Sequence, residues 1–189
     1  ASVFGPKTLN PKHDQDPERG LINVHYNMLP FSVTERIRPG LSRRSQEISK
    51  VTEWALTPLV MLSDLPGTVV DVHVIIIQAN AGTRCAGINA AAMALAHAGI
   101  PMKEMVSAVA IGKIDDKIVT DIIKEEEDHE EGDGATDIPM TYLSNSGKIS
   151  LLQLDGRIPS KKLKEALEAG KEACKKIYEV QKAAFKEAK

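Results

Sequence analysis

The chain has 189 residues, 42% hydrophobic and 26% charged, enough for one domain with a real core and unlike the composition of a disordered or fibrous protein. Its 24 Lys and Arg against 26 Asp and Glu give a net charge of −2, which argues against a general nucleic-acid binder, and 4% aromatic residues leave few platforms for base stacking. Two cysteines without a C-x-x-C, histidines without paired metal-ligand spacing, and no apolar run near the roughly 20 residues that span a bilayer point to a reducing, cytoplasmic setting and no membrane.

In chain order, residues 2–4 read as a strand that Gly5-Pro6 stops. Residues 7–20 carry two prolines and many charges and read as a loop, in which Lys12, His13 and Arg19 are either contacts for a polyanion or simply solvated. Residues 21–28 alternate polar and apolar side chains, the pattern of a half-buried strand, and Pro30 ends it. A loop closed by Pro39-Gly40 leads into a helix with Ser42 as N-cap, and Ile48, Val51, Trp54 and Ala55 fall at helical spacing toward the core. Arg43 and Arg44 occupy its first turn, where positive charge opposes the helix dipole at a cost of about 0.3–1 kcal/mol each. A bound anion would remove that conflict, and two exposed, screened arginines would also tolerate it.

A run rich in Val and Ile at 69–77 reads as a buried strand that delivers the chain into a glycine turn. A helix follows from Thr83, stopped by Gly99 at the left-handed C′ position and by Pro101. Its many alanines, with Gly87, form a small-residue surface that lets a sheet or another helix approach closely. The first turn offers unpaired N–H groups and the positive end of the dipole. There Gly82 lets the backbone come close, Thr83 adds a hydroxyl, and Arg84 adds a guanidinium fork suited to phosphate. A plain strand-to-helix turn with a surface arginine uses the same residues, and no Walker or G-x-G-x-x-G pattern decides between the two.

Residues 107–114 and 117–123 read as two strands of a hairpin turning at Asp115-Asp116. Residues 1–50 hold eight Lys or Arg against five acids, whereas 121–137 hold nine acids against Lys124. The acidic stretch is either a solvated loop or a carboxylate cluster able to hold Mg²⁺ and to raise one carboxyl pKa for acid catalysis. Residues 138–143 and 149–154 read as strands joined by a turn at 144–147. From Pro159 onward, Leu163, Ala166, Leu167, Gly170, Cys174, Ile177 and Val180 mark a long amphipathic helix with a lysine-rich outer face.

Eight of these segments stand in the order of the RNase PH family, which the chain resembles. They are VFGPK at 3–7, YNMLPFS at 26–32, SRRSQEISK at 42–50, QANAGTR at 78–84, ALAHAGIPM at 94–102, EED at 126–128, TDIP at 136–139 and LLQLDG at 151–156. Within the family it is most similar to the branch of the catalytic, RNase PH-like subunits of the archaeal exosome. The resemblance implies an α/β fold of the ribosomal protein S5 domain 2-like class, with βαβ units whose sheets pack on central helices. Residues 1–189 are expected to form a single such domain, lacking the strands that precede VFGPK in relatives.

The resemblance further implies a 3′→5′ exoribonuclease that uses inorganic phosphate to release nucleoside diphosphates. Phosphate binding falls on Gly82, Thr83, Arg84 and Arg44, and RNA binding on Arg43, Arg44 and Lys12. The catalytic acid falls on Asp128 and a second carboxylate on Asp137, the two also serving Mg²⁺ or Mn²⁺. Asp133, in a loop longer than is usual in the family, competes with Asp137 for the second role, and Asn80 replaces an aspartate of the family's Q-A-D-x-G segment. The implied partners are single-stranded RNA, an inactive homologous subunit in a six-membered ring, and RNA-binding cap subunits. A non-catalytic RNA-binding ring subunit and a tRNA-trimming homohexamer are the alternatives, and the presence of both Asp128 and Arg84 favours an enzyme over the first of them.

Overall fold

A computed structural model describes residues 1–129, 132 and 134–187. The chain forms two compact units, Ala1–Gln78 with Gly87–Met105 and Ala79–Ala86 with Val106–Lys189.

The first unit is a three-stranded sheet with helices. Strand β1 (Ser2–Thr8) and β2 (Leu21–Met28) flank β3 (Thr68–Ile76) in the order β1-β3-β2. β1 runs antiparallel to β3, and β2 runs parallel to it. Helix α1 (Arg43–Leu56) lies between β2 and β3 in sequence, so β2, α1 and β3 form the expected βαβ unit. Ser42 caps α1 as expected and is part of a capping box. Its hydroxyl accepts from the Ser45 N–H at 3.0 Å, while the Ser45 hydroxyl accepts from the Ser42 N–H at 2.8 Å.

Two expectations for this unit are corrected. Gly5-Pro6 does not stop β1, which continues to Thr8 through a register irregularity between Phe4 and Lys7. β1 is an edge strand here, so the missing proline N–H costs no central ladder bond. Gly5, at φ 128°, tolerates the bulge because any Cβ there would stand 2.7 Å from the Val69 carbonyl oxygen. Trp54 does not face the core but is 60% exposed. Ile48, Val51, Thr52, Ala55 and Leu56 form the buried stripe of α1, and Trp54 stands about a third of a turn away from it.

Helix α2 (Thr83–His97) ends in a Schellman motif, with Ile100 N–H bonded to Leu95 O and Gly99 N–H to Ala96 O, both at 3.1 Å, and Gly99 at φ 74°. The small-residue surface is used as anticipated. At Gly87 a Cβ would approach Val74 to 3.2 Å and Tyr26 to 3.6 Å, so the helix lies close on the sheet.

The second unit is an antiparallel sheet of β4 (Ser107–Ile114), β5 (Lys117–Thr120), β6 (Ala135–Leu143) and β7 (Lys148–Leu152), in the order β5-β4-β6-β7. A one-turn helix α3 (Lys124–Glu127) follows β5, and α4 (Ser160–Glu187) follows β7. The hairpin at Asp115-Asp116 forms as expected, but β5 stops three residues before Ile123. Asp121, at φ 65°, donates its N–H to Ala110 O and turns the chain so that Ile122 is buried against Gly112. Along α4, Ala166, Gly170 and Cys174 are buried against the sheet, and a Cβ on Gly170 would meet Ile111 at 2.4 Å. Val180, read as core, is 69% exposed. Gln181 takes the buried place instead, its Oε1 accepting from Ser107 Oγ at 3.2 Å and its Nε2 donating to Val106 O at 3.1 Å.

Candidate active site

The turn before α2 is left-handed at two consecutive residues, Ala81 at φ 59° and Gly82 at φ 58°. A Cβ on Gly82 would meet Ala110 at 3.6 Å, an ordinary contact, so backbone conformation rather than crowding is what calls for glycine there. The Gly82 carbonyl accepts from the Cys85 N–H at 3.1 Å and the Ala86 N–H at 3.2 Å, which makes it the entry to the helix. Thr83 is buried in the first turn, and Arg84 is half-buried beside it.

From that turn the Arg84 side chain reaches two elements of the second unit. One guanidinium nitrogen donates to Gln153 Oε1. The charge also acts on the Asp137 carboxylate. Asp137 lies on β6, and beyond β7 the chain continues alongside it. Gln153 N–H donates to Pro139 O at 3.0 Å, and Asp137 and Asp155 exchange both backbone bonds at 2.8 Å. Residues directly opposite in such a ladder share a face, so Asp137, Gln153 and Asp155 project to one side. Gly156 follows at φ 114°, where a Cβ would stand 2.8 Å from Thr136 Oγ1.

Asp137 is the electrostatically unusual group. Its Oδ1 is buried without a hydrogen-bond partner. Burial first, then the Glu127 carboxylate and, less, Asp155 push its carboxyl up to about 6, while Arg84 pulls the other way. Asp128 differs in being 60% exposed at the C-terminal end of α3, with its carboxylate paired to Lys124. Lys124 N–H, at the start of α3, donates to Asn80 Oδ1 at 3.0 Å. Asn80 therefore ties the turn before α2 to the start of α3, which Asp128 caps at its other end.

The residues expected to contact RNA belong to the first unit. Lys12 opens a 3-10 turn, Lys12–Asp14, and Arg43 and Arg44 stand in the first turn of α1, all three exposed. Asp133 lies outside the described residues. Gly82, Thr83, Arg84, Asp128 and Asp137 are thus together in the second unit.

Two family profiles cover the chain. The 3′ exoribonuclease family, domain 1, matches residues 1–101, and the 3′ exoribonuclease family, domain 2, matches residues 104–173. The chain belongs to the 3′ exoribonuclease family.

Within that family it is 46% identical over 187 residues to the exosome complex component Rrp41 of Methanopyrus kandleri, covering 99% of this chain and 77% of that one. It is 48% identical over 183 residues to the protein of the same name from Nitrosopumilus maritimus, covering 97% of this chain and 73% of that one. The fold matches the crystal structure of rice Rrp46 with a TM-score of 0.83 at 20% identity, over 97% of this chain and 81% of that one. A chain of the Archaeoglobus fulgidus exosome with RNA bound to the active site matches with a TM-score of 0.72 at 21% identity, over 94% and 76%. The α/β expectation, with an RNase PH-like fold, holds.

Among the described residues of this exoribonuclease-family chain, no three His, Cys, Asp or Glu side chains converge as a ready metal cage. The donor chemistry nonetheless fits a hard divalent cation at Asp137, where a buried oxygen lacks a partner and Glu127 and Asp155 add negative charge. Sequence reading assigned no role to Gln153, Asp155, Glu127 or Lys124. The strand pairing beyond the turn at 144–147 holds the signal, because it sets 153 and 155 opposite 139 and 137.

Proposed function

We propose that this chain is the phosphorolytic 3′→5′ exoribonuclease subunit of an archaeal exosome, shortening single-stranded RNA with inorganic phosphate. The observation that carries the reading is Arg84, held at the first turn of α2 with the buried, partnerless oxygen of Asp137 beside it. A cationic fork and helix N–H groups bind a phosphate dianion, and neighbouring carboxylates serve proton transfer.

In this reading Gly82, Thr83, Arg84 and Arg44 bind the attacking phosphate, and Lys12, Arg43 and Arg44 contact the RNA backbone. A phosphate oxygen bonds to the terminal phosphorus, the bond from phosphorus to the preceding 3′ oxygen breaks, and Asp128 gives that oxygen a proton. The products are a nucleoside 5′-diphosphate and an RNA shorter by one nucleotide with a free 3′-hydroxyl. Asp137 and Asp128 would hold Mg²⁺ or Mn²⁺, which when bound offsets charge on the phosphoryl oxygens.

The relatives named Rrp41 support the exosome branch over a tRNA-trimming homohexamer. We accordingly propose a cytoplasmic assembly with an inactive homologous subunit in a six-membered ring and with RNA-binding cap subunits. The test is incubation of the purified chain, alone and with the subunits that copurify with it, with 5′-labelled poly(A) with and without phosphate. Degradation should require phosphate and yield nucleoside diphosphates. Nucleoside monophosphates as products overturn the reading.

A further inference from the structure

We infer that His25 and His73 form a binding site for a transition-metal ion of the Zn²⁺, Ni²⁺ or Cu²⁺ class, on the sheet of the first unit, where the ion clips β2 to β3. The site is separate from the proposed phosphorolytic centre and does not rest on that reading.

Side chains alternate along a strand, so each strand of this sheet has two faces. In β2, Ile22, Val24 and Tyr26 are buried, whereas Asn23, His25 and Asn27 are exposed. Val74 of β3 stands with Tyr26 under Gly87 of α2. His25 and His73 are direct partners in the parallel β2–β3 register, so both project from the face opposite the one that α2 covers. Their rings stack, with centroids 4.6 Å apart and planes 21° from parallel. Phe4 of β1 sets its ring edge-on to His73 at 5.3 Å. Each of the three strands thus gives one ring to a row, with His73 in the middle. His25 is exposed and His73 half-buried, so an ion reaches the pair from solvent.

The separation suits shared coordination. With metal–nitrogen bonds of about 2.0–2.1 Å, two imidazoles on one ion put their ring centres about 4.5–5 Å apart, for ligand angles from square to tetrahedral. The 4.6 Å between His25 and His73 lies in that range, so the strands need not move. Each ring has only to turn about χ2, a broad torsion in histidine, to pass from stacking to facing one ion. Imidazole nitrogen favours Zn²⁺, Ni²⁺ and Cu²⁺, whereas Mg²⁺ and Mn²⁺ favour oxygen ligands.

Among the described residues no third His, Cys, Asp or Glu joins such a group, so the chain supplies two ligands and water the rest. Asp71, two residues before His73 on the same face, is already engaged. It accepts from Asn23 Nδ2 at 3.2 Å and pairs with Lys7. Burial pushes its carboxyl up, but the hydrogen bonds from Lys7 and Asn23 and the charges of Lys7 and His25 outweigh burial and hold it below its ordinary value. An ionised carboxylate this near His25 favours a cation at the pair. Because His25 and His73 belong to different strands, the ion stabilises the first unit when bound.

The experiment titrates Zn²⁺ into the full chain, prepared without a polyhistidine tag, by calorimetry in a large excess of Mg²⁺. Zn²⁺ should bind despite the Mg²⁺. His25→Gln and His73→Gln should each weaken it on the order of 10²-fold, the advantage that two linked ligands hold over one. His97→Gln, which changes an exposed histidine at the end of α2, should leave it unchanged. Cu²⁺ bound to the parent should show two imidazole nitrogens by electron paramagnetic resonance, and one in either variant. Zn²⁺ should raise the unfolding temperature of the parent but not of the double variant.

Parental Zn²⁺ affinity in either single variant, a copper signal with one nitrogen in the parent, or displacement of Zn²⁺ by Mg²⁺ overturns the site. Should the substitutions disturb the fold, the unsubstituted chain decides. Zn²⁺ should then shield His25 and His73 together from diethyl pyrocarbonate, read residue by residue by mass spectrometry, while His97 is modified as before. Shielding of only one of the pair, or of neither, overturns the inference.

Discussion

Asp137 is held in the fold with a carboxyl raised to about 6 from an ordinary value of 3.8, chiefly by burial. In the unfolded chain the group ionises near its ordinary value, so between about pH 4 and pH 6 the folded state keeps a proton that the unfolded state has lost. Stability is therefore fullest below about pH 4 and is lost as pH rises through about 6, by on the order of 1–3 kcal/mol. Asp137→Asn removes the ionisation, so the variant should match the parent near pH 4 and exceed it by that amount at pH 7–8, read from urea midpoints. A stability gain independent of pH would refute the assignment. The neighbouring acid is tested through turnover. Asp128→Asn should lower kcat by on the order of 10²–10⁴ with RNA affinity unchanged, whereas Glu126→Gln should change little. If Asp128→Asn stays within a few-fold of the parent and Asp133→Asn abolishes turnover, the acid is Asp133. At this scale the sequence was legible where the signal is local, as in the start of α2 at Thr83 with Arg84 in its first turn. It was silent on Gln153 and Glu127, which act on Arg84 and Asp137 through strand pairing and burial that no local pattern encodes.

Helix α1 joins two opposing effects. Its capping box satisfies orphan N–H groups, while Arg43 and Arg44 put positive charge against the positive end of its dipole. Replacing both arginines with glutamate should stabilise the chain by roughly 0.5–2 kcal/mol in thermal or urea unfolding. The same double variant should weaken RNA binding and flatten its salt dependence, each lost contact to single-stranded RNA reducing the slope by about 0.7. An unchanged salt slope would mark the pair as ordinary surface. The elements themselves were largely legible, because β-branched runs, caps and the Gly99 stop are local signals. Trp54 and Val180 were misread for one reason: apolar character was taken as burial. In α1 the stripe is completed by Thr52, and in α4 by Gln181, a polar side chain that finds two partners on Ser107 and Val106. Pattern reading of apolar residues passes over such positions.

At the scale of the molecule, residues 79–86 group with the second compact unit although they lie inside the stretch matched by domain 1 of the family. The bonds that hold them there join distant sequence, Asn80 to Lys124 and Arg84 to Gln153, which is why no linker marks the change. Both cysteines also belong to this unit. Cys85 and Cys174 are free and buried, and burial raises both thiols, that of Cys174 to about 12. A thiol so placed reacts only when its surroundings open. The chain therefore carries a built-in clock for the second unit alone, since the first contains no sulfhydryl to contribute. Under native conditions, the rate at which a thiol-specific reagent modifies the protein measures how often that unit opens. Phosphate bound at the turn before α2 should slow the modification by the factor 1 + [phosphate]/Kd, giving an affinity for the site without any RNA, partner or turnover.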